Sequence, residues 1–250
     1  MRTAQHFDAL YDAALALVYP MRCAACAAAN VERRADAPAC AACWRATTVF
    51  TGDEICCWKC GAQAAAGGGR PENRADVRCR RCDAAGFTAA RALGKYEGAL
   101  RASILTLKHE PHVSAHLARL LFDAARRRPL NAATRIVPVP LHRERERERG
   151  FNQAALLARV VAKGARLPVD ESSLVREVHV ERHRAGMDAR ARRETVEGAF
   201  RVARPRLVMN ERVLLVDDVF TTGATATACA RALRAAGAGE VFLLTAARAL

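Results

Sequence analysis

Apolar positions from residue 87 onward fall alternately into short runs and helical stripes. Residues 87–96 are strand-like. Leu100, Ile104 and Leu107 recur at helical spacing within 98–108, and Leu117, Leu120 and Leu121 do so within 116–125. Pro111 separates these two helices. Ile136-Val137-Pro138-Val139-Pro140 predicts a short strand that leaves its sheet at the prolines. An amphipathic helix follows over 152–162, ending near Gly164 and Pro168. Val213-Leu214-Leu215-Val216 is continuously apolar, as a parallel strand buried on both faces would be. Residues 224–236 predict a helix closed by Gly237, and Val241 to Leu244 a last strand. This alternation predicts an α/β fold with an open parallel sheet and ligands at the carboxyl ends of its strands.

Residues 1–86 lack that alternation. Residues 6–18 read as a short amphipathic helix. Asp8 and Asp12 flank or interrupt its apolar stretch, which argues against an export signal. No uncharged apolar run approaches the ~20 residues of a spanning helix, so membrane insertion is not expected. A reducing, cytoplasmic setting follows, in which closely paired cysteines favour metal over disulfide.

Nine of the ten cysteines lie between positions 23 and 82. Cys23-Ala-Ala-Cys26 and Cys40-Ala-Ala-Cys43 form one pair of knuckles. Cys57-Trp-Lys-Cys60 and Cys79-Arg-Arg-Cys82 form another. Each pair supplies four thiolates, the ligand set of a tetrahedral structural zinc. Redox Cys-x-x-Cys motifs usually come singly beside a βαβ pattern, which this segment lacks. Iron in place of zinc, and interleaved rather than sequential pairing of the knuckles, both remain open here. Cys56 competes with Cys57; the two-residue spacer and the following Gly61 favour Cys57. Residues 64–71 are a glycine-rich loop by composition. Trp44 and Trp58, each beside a ligand cysteine, are expected to cover the metals rather than stack on bases. The organisation expected is an N-terminal helix (1–20), a double zinc ribbon (21–86) and an α/β domain (87–250).

Charge changes this picture. Of 40 Lys and Arg and 26 Asp and Glu, residues 1–90 hold 11 and 9, so the remainder of the chain carries nearly all of the net +14. Four thiolates around one Zn²⁺ carry two negative charges. Two filled sites therefore take residues 1–90 from +2 to −2 and the chain from +14 to +10. The basic surface that favours phosphate or nucleic acid belongs to residues 91–250.

The densest chemistry is Val213-Leu-Leu-Val-Asp217-Asp218-Val-Phe-Thr221-Thr222-Gly223-Ala224-Thr225. It reads as a strand, two carboxylates, a hydroxyl- and glycine-rich turn, then a helix. Backbone N–H groups at the turn and helix start can surround a phosphate, helped by the helix dipole. Gly223 allows close approach and the threonines add donors. Two acids just upstream suit ribose hydroxyls, so the spacing fits a ribose 5-phosphate. Neither a P-loop nor a dinucleotide fingerprint is present. Cys229 is expected to be a core residue.

This stretch resembles the phosphoribosyl pyrophosphate (PRPP) signature of type I phosphoribosyltransferases. With the cysteine ribbon, Lys108, Val137-Pro-Val-Pro-Leu141 and Arg149-Gly-Phe-Asn-Gln153, the chain resembles the ComF competence family, in which a zinc-ribbon segment precedes a phosphoribosyltransferase-like domain. The resemblance implies that Asp217 and Asp218 contact ribose hydroxyls and that Thr221, Thr222, Gly223, Ala224 and Thr225 hold the 5-phosphate. It also implies that the turn after Pro140 faces pyrophosphate, and that residues 182–193 form a covering flap. Arg184 and Thr195 stand where relatives often have Gln and Asn. Lys108, Arg149, Arg190 and Arg192 are candidate anion contacts. Mg²⁺ would accompany PRPP. The partners implied are a phosphoribosyl ligand, single-stranded DNA and other DNA-uptake proteins. Three functions fit: a nucleic-acid-handling role in DNA uptake, a transferase with an unknown acceptor, and a nucleotide sensor.

Overall fold

The computed structural model describes residues 19–63, 77–177 and 198–249. The expected helix over 6–18, the loop over 64–71 and the flap with Arg190 and Arg192 lie outside them. Six strands are described: β1 (Ala89–Ala92), β2 (Arg135–Pro138), β3 (Leu174–Arg176), β4 (Phe200–Val202), β5 (Arg212–Phe220) and β6 (Glu240–Arg248). Strands β1, β6, β5 and β2 pair in that order, all parallel, into one open sheet; β3 and β4 form a separate antiparallel pair. The helices are α1 (Ala41–Ala46), α2 (Gly98–Thr106), α3 (Ala115–Ala125), α4 (Arg143–Arg149), α5 (Gln153–Ala165) and α6 (Ala224–Ala235). The α/β open parallel sheet read from the sequence is the observed fold.

Period-two alternation divides the core into two layers. Leu214 and Val216 pack with Leu100, Leu117, Leu121 and Leu157 from α2, α3 and α5. Val213 and Leu215 pack on the opposite side with Ala226, Cys229 and Leu233 of α6 and with Leu174 and Phe200 of the β3–β4 pair. Cys229 is fully buried, as expected. Helix ends follow local chemistry. Ser114 accepts the Leu117 N–H at the start of α3, Asn152 accepts the Ala154 N–H at the start of α5, and left-handed Gly150 ends α4. The alternating charge run from Arg143 is helical, with no buried residue.

Three elements differ from the sequence reading. Strand β5 does not stop at Val216; β6 runs beside it to Arg248, pairing Asp217 with Thr245 and Phe220 with Arg248. The two carboxylates thus lie within the strand. The β3–β4 pair was not anticipated, because its partners lie more than twenty residues apart and each is three residues long. Helix α2 ends at Thr106, so Lys108 stands in the turn beyond it, its N–H bonded to the Leu105 carbonyl.

The cysteine segment closes the outer edge of β1. The Ala90 N–H donates to the Lys59 carbonyl at 2.6 Å, Phe50 N–H to the Leu93 carbonyl at 2.7 Å, and Lys95 N–H to the Thr48 carbonyl at 3.0 Å. An open strand edge is thereby removed. The contact is close enough to require glycine. A Cβ on Gly94 would lie 2.1 Å from the Thr48 carbonyl oxygen, and one on Gly61 would lie 2.7 Å from that of Ala90.

Candidate functional site

The first four-sulfur set joins Cys23, Cys26, Cys40 and Cys43; the second joins Cys57, Cys60, Cys79 and Cys82. Pairing is therefore sequential, and Cys57 rather than Cys56 belongs to the second set. Within each set all ligand atoms lie within 4.8 Å of one another. Sulfur separations are 3.7 Å for Cys23–Cys43, 3.6 Å for Cys57–Cys82 and 3.4 Å for Cys60–Cys79. A tetrahedron with metal–sulfur bonds of about 2.3 Å has edges of about 3.8 Å, whereas a disulfide needs about 2.05 Å.

Local backbone supports the thiolates. The Cys40 and Ala25 N–H groups donate to Cys23 Sγ at 3.2 and 3.4 Å, and the Cys79 N–H donates to Cys57 Sγ at 3.3 Å. Burial alone would raise these thiols. The N–H donors outweigh it and bring Cys23 and Cys57 down to about 6. Burial and the neighbouring sulfurs push Cys43 and Cys82 up. Four sulfurs this close cannot all be anionic without a cation among them. Each set can hold a metal ion, consistent with zinc.

The sets are anchored on opposite layers. Cys23 and Cys40 join the α2–α3 layer; Cys57, Cys60 and Cys82 join the α6 layer. Trp44 is buried, stacks on His116 of α3 at 4.1 Å, and donates its Nε1–H to the Asp36 carbonyl at 2.6 Å. Trp44 is thus a packing residue beside Cys23 and Cys40. Trp58 differs: the side chain is 37% exposed and lines a cavity.

The second site stands at the carboxyl end of β5. Asp217, Thr221, Gly223, Ala224 and Thr225 line a small cavity of about 30 Å³. Gly223 has φ of 77° and is the N-cap of α6. Its conformation turns the chain so that the Ala224 N–H meets Thr222 Oγ1 at 3.4 Å. The Asp218 N–H donates to Asp217 Oδ1 at 2.9 Å. Burial, then the charge of Asp218, raise the Asp217 carboxyl well above the usual range, against the opposing pull of Arg176. The Pro138–Pro140 turn stands alongside, since Pro138 pairs with Val216. Asn152 fixes it by donating Nδ2–H to the Val139 carbonyl at 3.0 Å. That contact gives Asn152 of the Arg149–Gln153 motif a structural task. Neither Lys108 nor Arg149 lines the cavity.

Two arginines beside this site were missed by the sequence reading. Arg176 of β3 lies over the Phe200 ring at 5.4 Å and faces Asp217 electrostatically. Arg248 lies over the Phe220 ring at 4.5 Å and donates to the Cys60 carbonyl at 2.6 Å, joining the β5 end to the second cysteine set. Neither carries a local signal, because each acts across strands.

No family model matches the chain. Competence protein F of Haemophilus influenzae is 37% identical over 141 residues, a match that takes in 53% of this chain and 60% of that protein. DNA utilization protein YhgH of Escherichia coli K12 is 30% identical over 210 residues, 81% of this chain and 86% of that protein. Similar solved structures include a glutamine PRPP amidotransferase from B. subtilis, 18% identical with a TM-score of 0.36 over 54% of this chain and 28% of that one. Another is adenine phosphoribosyltransferase from Leishmania tarentolae, 16% identical with a TM-score of 0.37 over 58% and 74%. No helix among the described residues is long and apolar enough to cross a membrane. The YhgH match spans both cysteine-rich and α/β parts, and on it the chain belongs to the ComF competence family.

Proposed function

We propose that this protein binds a phosphoribosyl ligand, PRPP or a nucleotide, at the end of β5 and supports DNA uptake in the cytoplasm by handling nucleic acid. The observation that carries the ligand reading is the left-handed Gly223 turn. It places Thr221, Thr222 and Thr225 around the start of a twelve-residue helix, one strand end away from two carboxylates. Hydroxyl and N–H donors suit a phosphate, and the carboxylates suit ribose hydroxyls or a Mg²⁺ ion carried with PRPP. In this reading the two cysteine sets hold structural zinc and take no part in binding. The names of the relatives, a competence protein and a DNA utilization protein, support the cellular role.

Calorimetry with PRPP and Mg²⁺ tests the site. Gly223→Val should abolish binding, because its Cβ would stand 2.8 Å from Phe220 Cζ and φ of 77° strains any branched residue. Asp218→Asn should weaken binding roughly ten- to a hundred-fold, the loss of a charge-assisted hydrogen bond. Folded variants that bind like the parent would sink the proposal. Release of pyrophosphate on adding a nucleobase would instead mark a transferase.

A further inference from the structure

Backbone hydrogen bonds join the cysteine segment to the β1 edge at Phe50 and again at Lys59, with none between them. The chain leaves the strand over residues 51–58, and the gap over Arg91 and Ala92 is a cavity of about 270 Å³. Phe50 and Trp58 supply aromatic surface, and Arg91, Arg127 and Arg128 supply charge. No lining residue is shared with the cavity at the end of β5.

The guanidinium groups are held without being neutralised. Arg91 donates Nη1–H to the Trp58 and Ala90 carbonyls at 2.9 and 2.8 Å, and Arg127 donates to the Phe50 carbonyl at 2.9 Å. Among the described residues no ion pair involves Arg91, Arg127 or Arg128. The acid in the wall, Glu54, is already committed. Its carboxylate accepts the Thr51 and Gly52 N–H groups at 2.6 and 2.9 Å, and these donors overcome burial to hold it below the usual range. Three guanidinium groups against the one Glu54 carboxylate leave the cavity net positive, and beside exposed indole they call for a planar, anionic ligand. The volume is near the lower end for small-molecule sites, which suits one base and its phosphate better than a larger cofactor.

We infer that this cavity is a second nucleotide site, in which aromatic surface from the cysteine segment meets the base and arginines of β1 and the α3 end hold the phosphate. The inference rests on the nucleic-acid-handling part of the reading above and not on the phosphoribosyl site. The same chemistry is offered by a free nucleoside monophosphate and by one unit of a single strand. Full-length, metal-loaded protein would be titrated with dTMP and with a labelled oligo-dT, following tryptophan fluorescence and anisotropy.

Trp58→Ala and Arg128→Glu should each weaken nucleotide binding roughly ten-fold or more. Trp58→Phe should retain most of it. Arg128→Glu, on an exposed side chain, should keep PRPP binding, so failure of the phosphoribosyl reading is scored separately. Binding of dTMP alone identifies a mononucleotide site; binding of the oligomer only identifies a strand site. Unchanged affinity in both Trp58→Ala and Arg128→Glu overturns the inference. So does absence of binding to either probe.

Discussion

The cysteine sets and the end of β5 both crowd like charges, and they resolve the conflict differently. In each cysteine set the chain supplies four sulfurs at tetrahedral spacing and backbone N–H donors, to Cys23 in the first and to Cys57 in the second. A cation at the centre would balance these charges. At the end of β5, burial and then the neighbouring charge of Asp218 raise Asp217, and Arg176 is the opposing cation. The first arrangement converts charge into stability. The second keeps an unresolved cost, which a ligand or its metal ion can relieve on binding. The two regions can each be perturbed alone.

The largest effect is expected from the second cysteine set. Cys57 is buried and Cys57, Cys60 and Cys82 share a core with β5 and β6. Structural zinc contributes about 10–16 kcal/mol in zinc-finger peptides, comparable to the ~5–15 kcal/mol of a whole domain. Cys57→Ser should lower metal content from two ions per chain to one and abolish a cooperative thermal transition. Elemental analysis beside a melting curve checks both. One ion fewer with an unchanged melt would break the claim that this set is structural.

Next comes the backbone contact that seats the segment on the sheet. Gly94→Ala must move the Thr48 carbonyl, which stands 2.1 Å from the new Cβ, or Leu100 Cδ1 at 2.7 Å. Overpacking of this kind costs about 1–3 kcal/mol. In a protein of this size that lowers Tm by roughly 2–12 °C. Metal content should stay at two, because the cysteines are untouched. An unchanged Tm would show that the edge contact is loose.

These outcomes bear on what the sequence made legible. The four cysteine knuckles were readable because their geometry is local: a two-residue spacer brings two sulfurs to one point whatever the rest of the fold does, while which knuckle joins which waited on the fold. The helices were readable from Leu100, Leu117 and their neighbours because one face is buried throughout. The end of β5 was only half readable. The apolar run marks the strand only to Val216, and it is the pairing with β6 through Thr245 to Arg248 that carries the strand on through Asp217 and Asp218. The cavity beside Trp58 was not readable. Its aromatic and basic walls come from residues 50–58, 91 and 127–128, which only the fold brings together.

A smaller effect should follow from the tie between the first cysteine set and α3. Trp44→Phe keeps a ring to stack on His116 but removes the Nε1–H bond to the Asp36 carbonyl. Leaving that carbonyl without its donor costs about 1 kcal/mol, or roughly 2–4 °C in Tm. Trp44→Ala should lose several times more, since the stack is lost as well. Equal losses in the two variants would assign the whole tie to the hydrogen bond.

The smallest effect has the opposite sign and divides the two regions most sharply. The folded chain raises the Asp217 carboxyl above its unfolded value of about 3.9, so ionisation favours unfolding. Below about pH 4 both states hold the proton, and Asp217→Asn should melt with the parent. As pH rises through the raised native value the parent loses stability that the amide variant keeps. At neutral pH Asp217→Asn should melt above the parent, by about 2–4 °C for each kcal/mol relieved. The same variant should bind PRPP with Mg²⁺ more weakly, because the amide carries no charge toward the ligand. A gain in Tm that appears only above pH 4, together with a loss of affinity, identifies a carboxylate kept for binding at the expense of the fold. A gain independent of pH, or a parent more stable than the variant at pH 7, would place Asp217 with the cysteines as a structural residue.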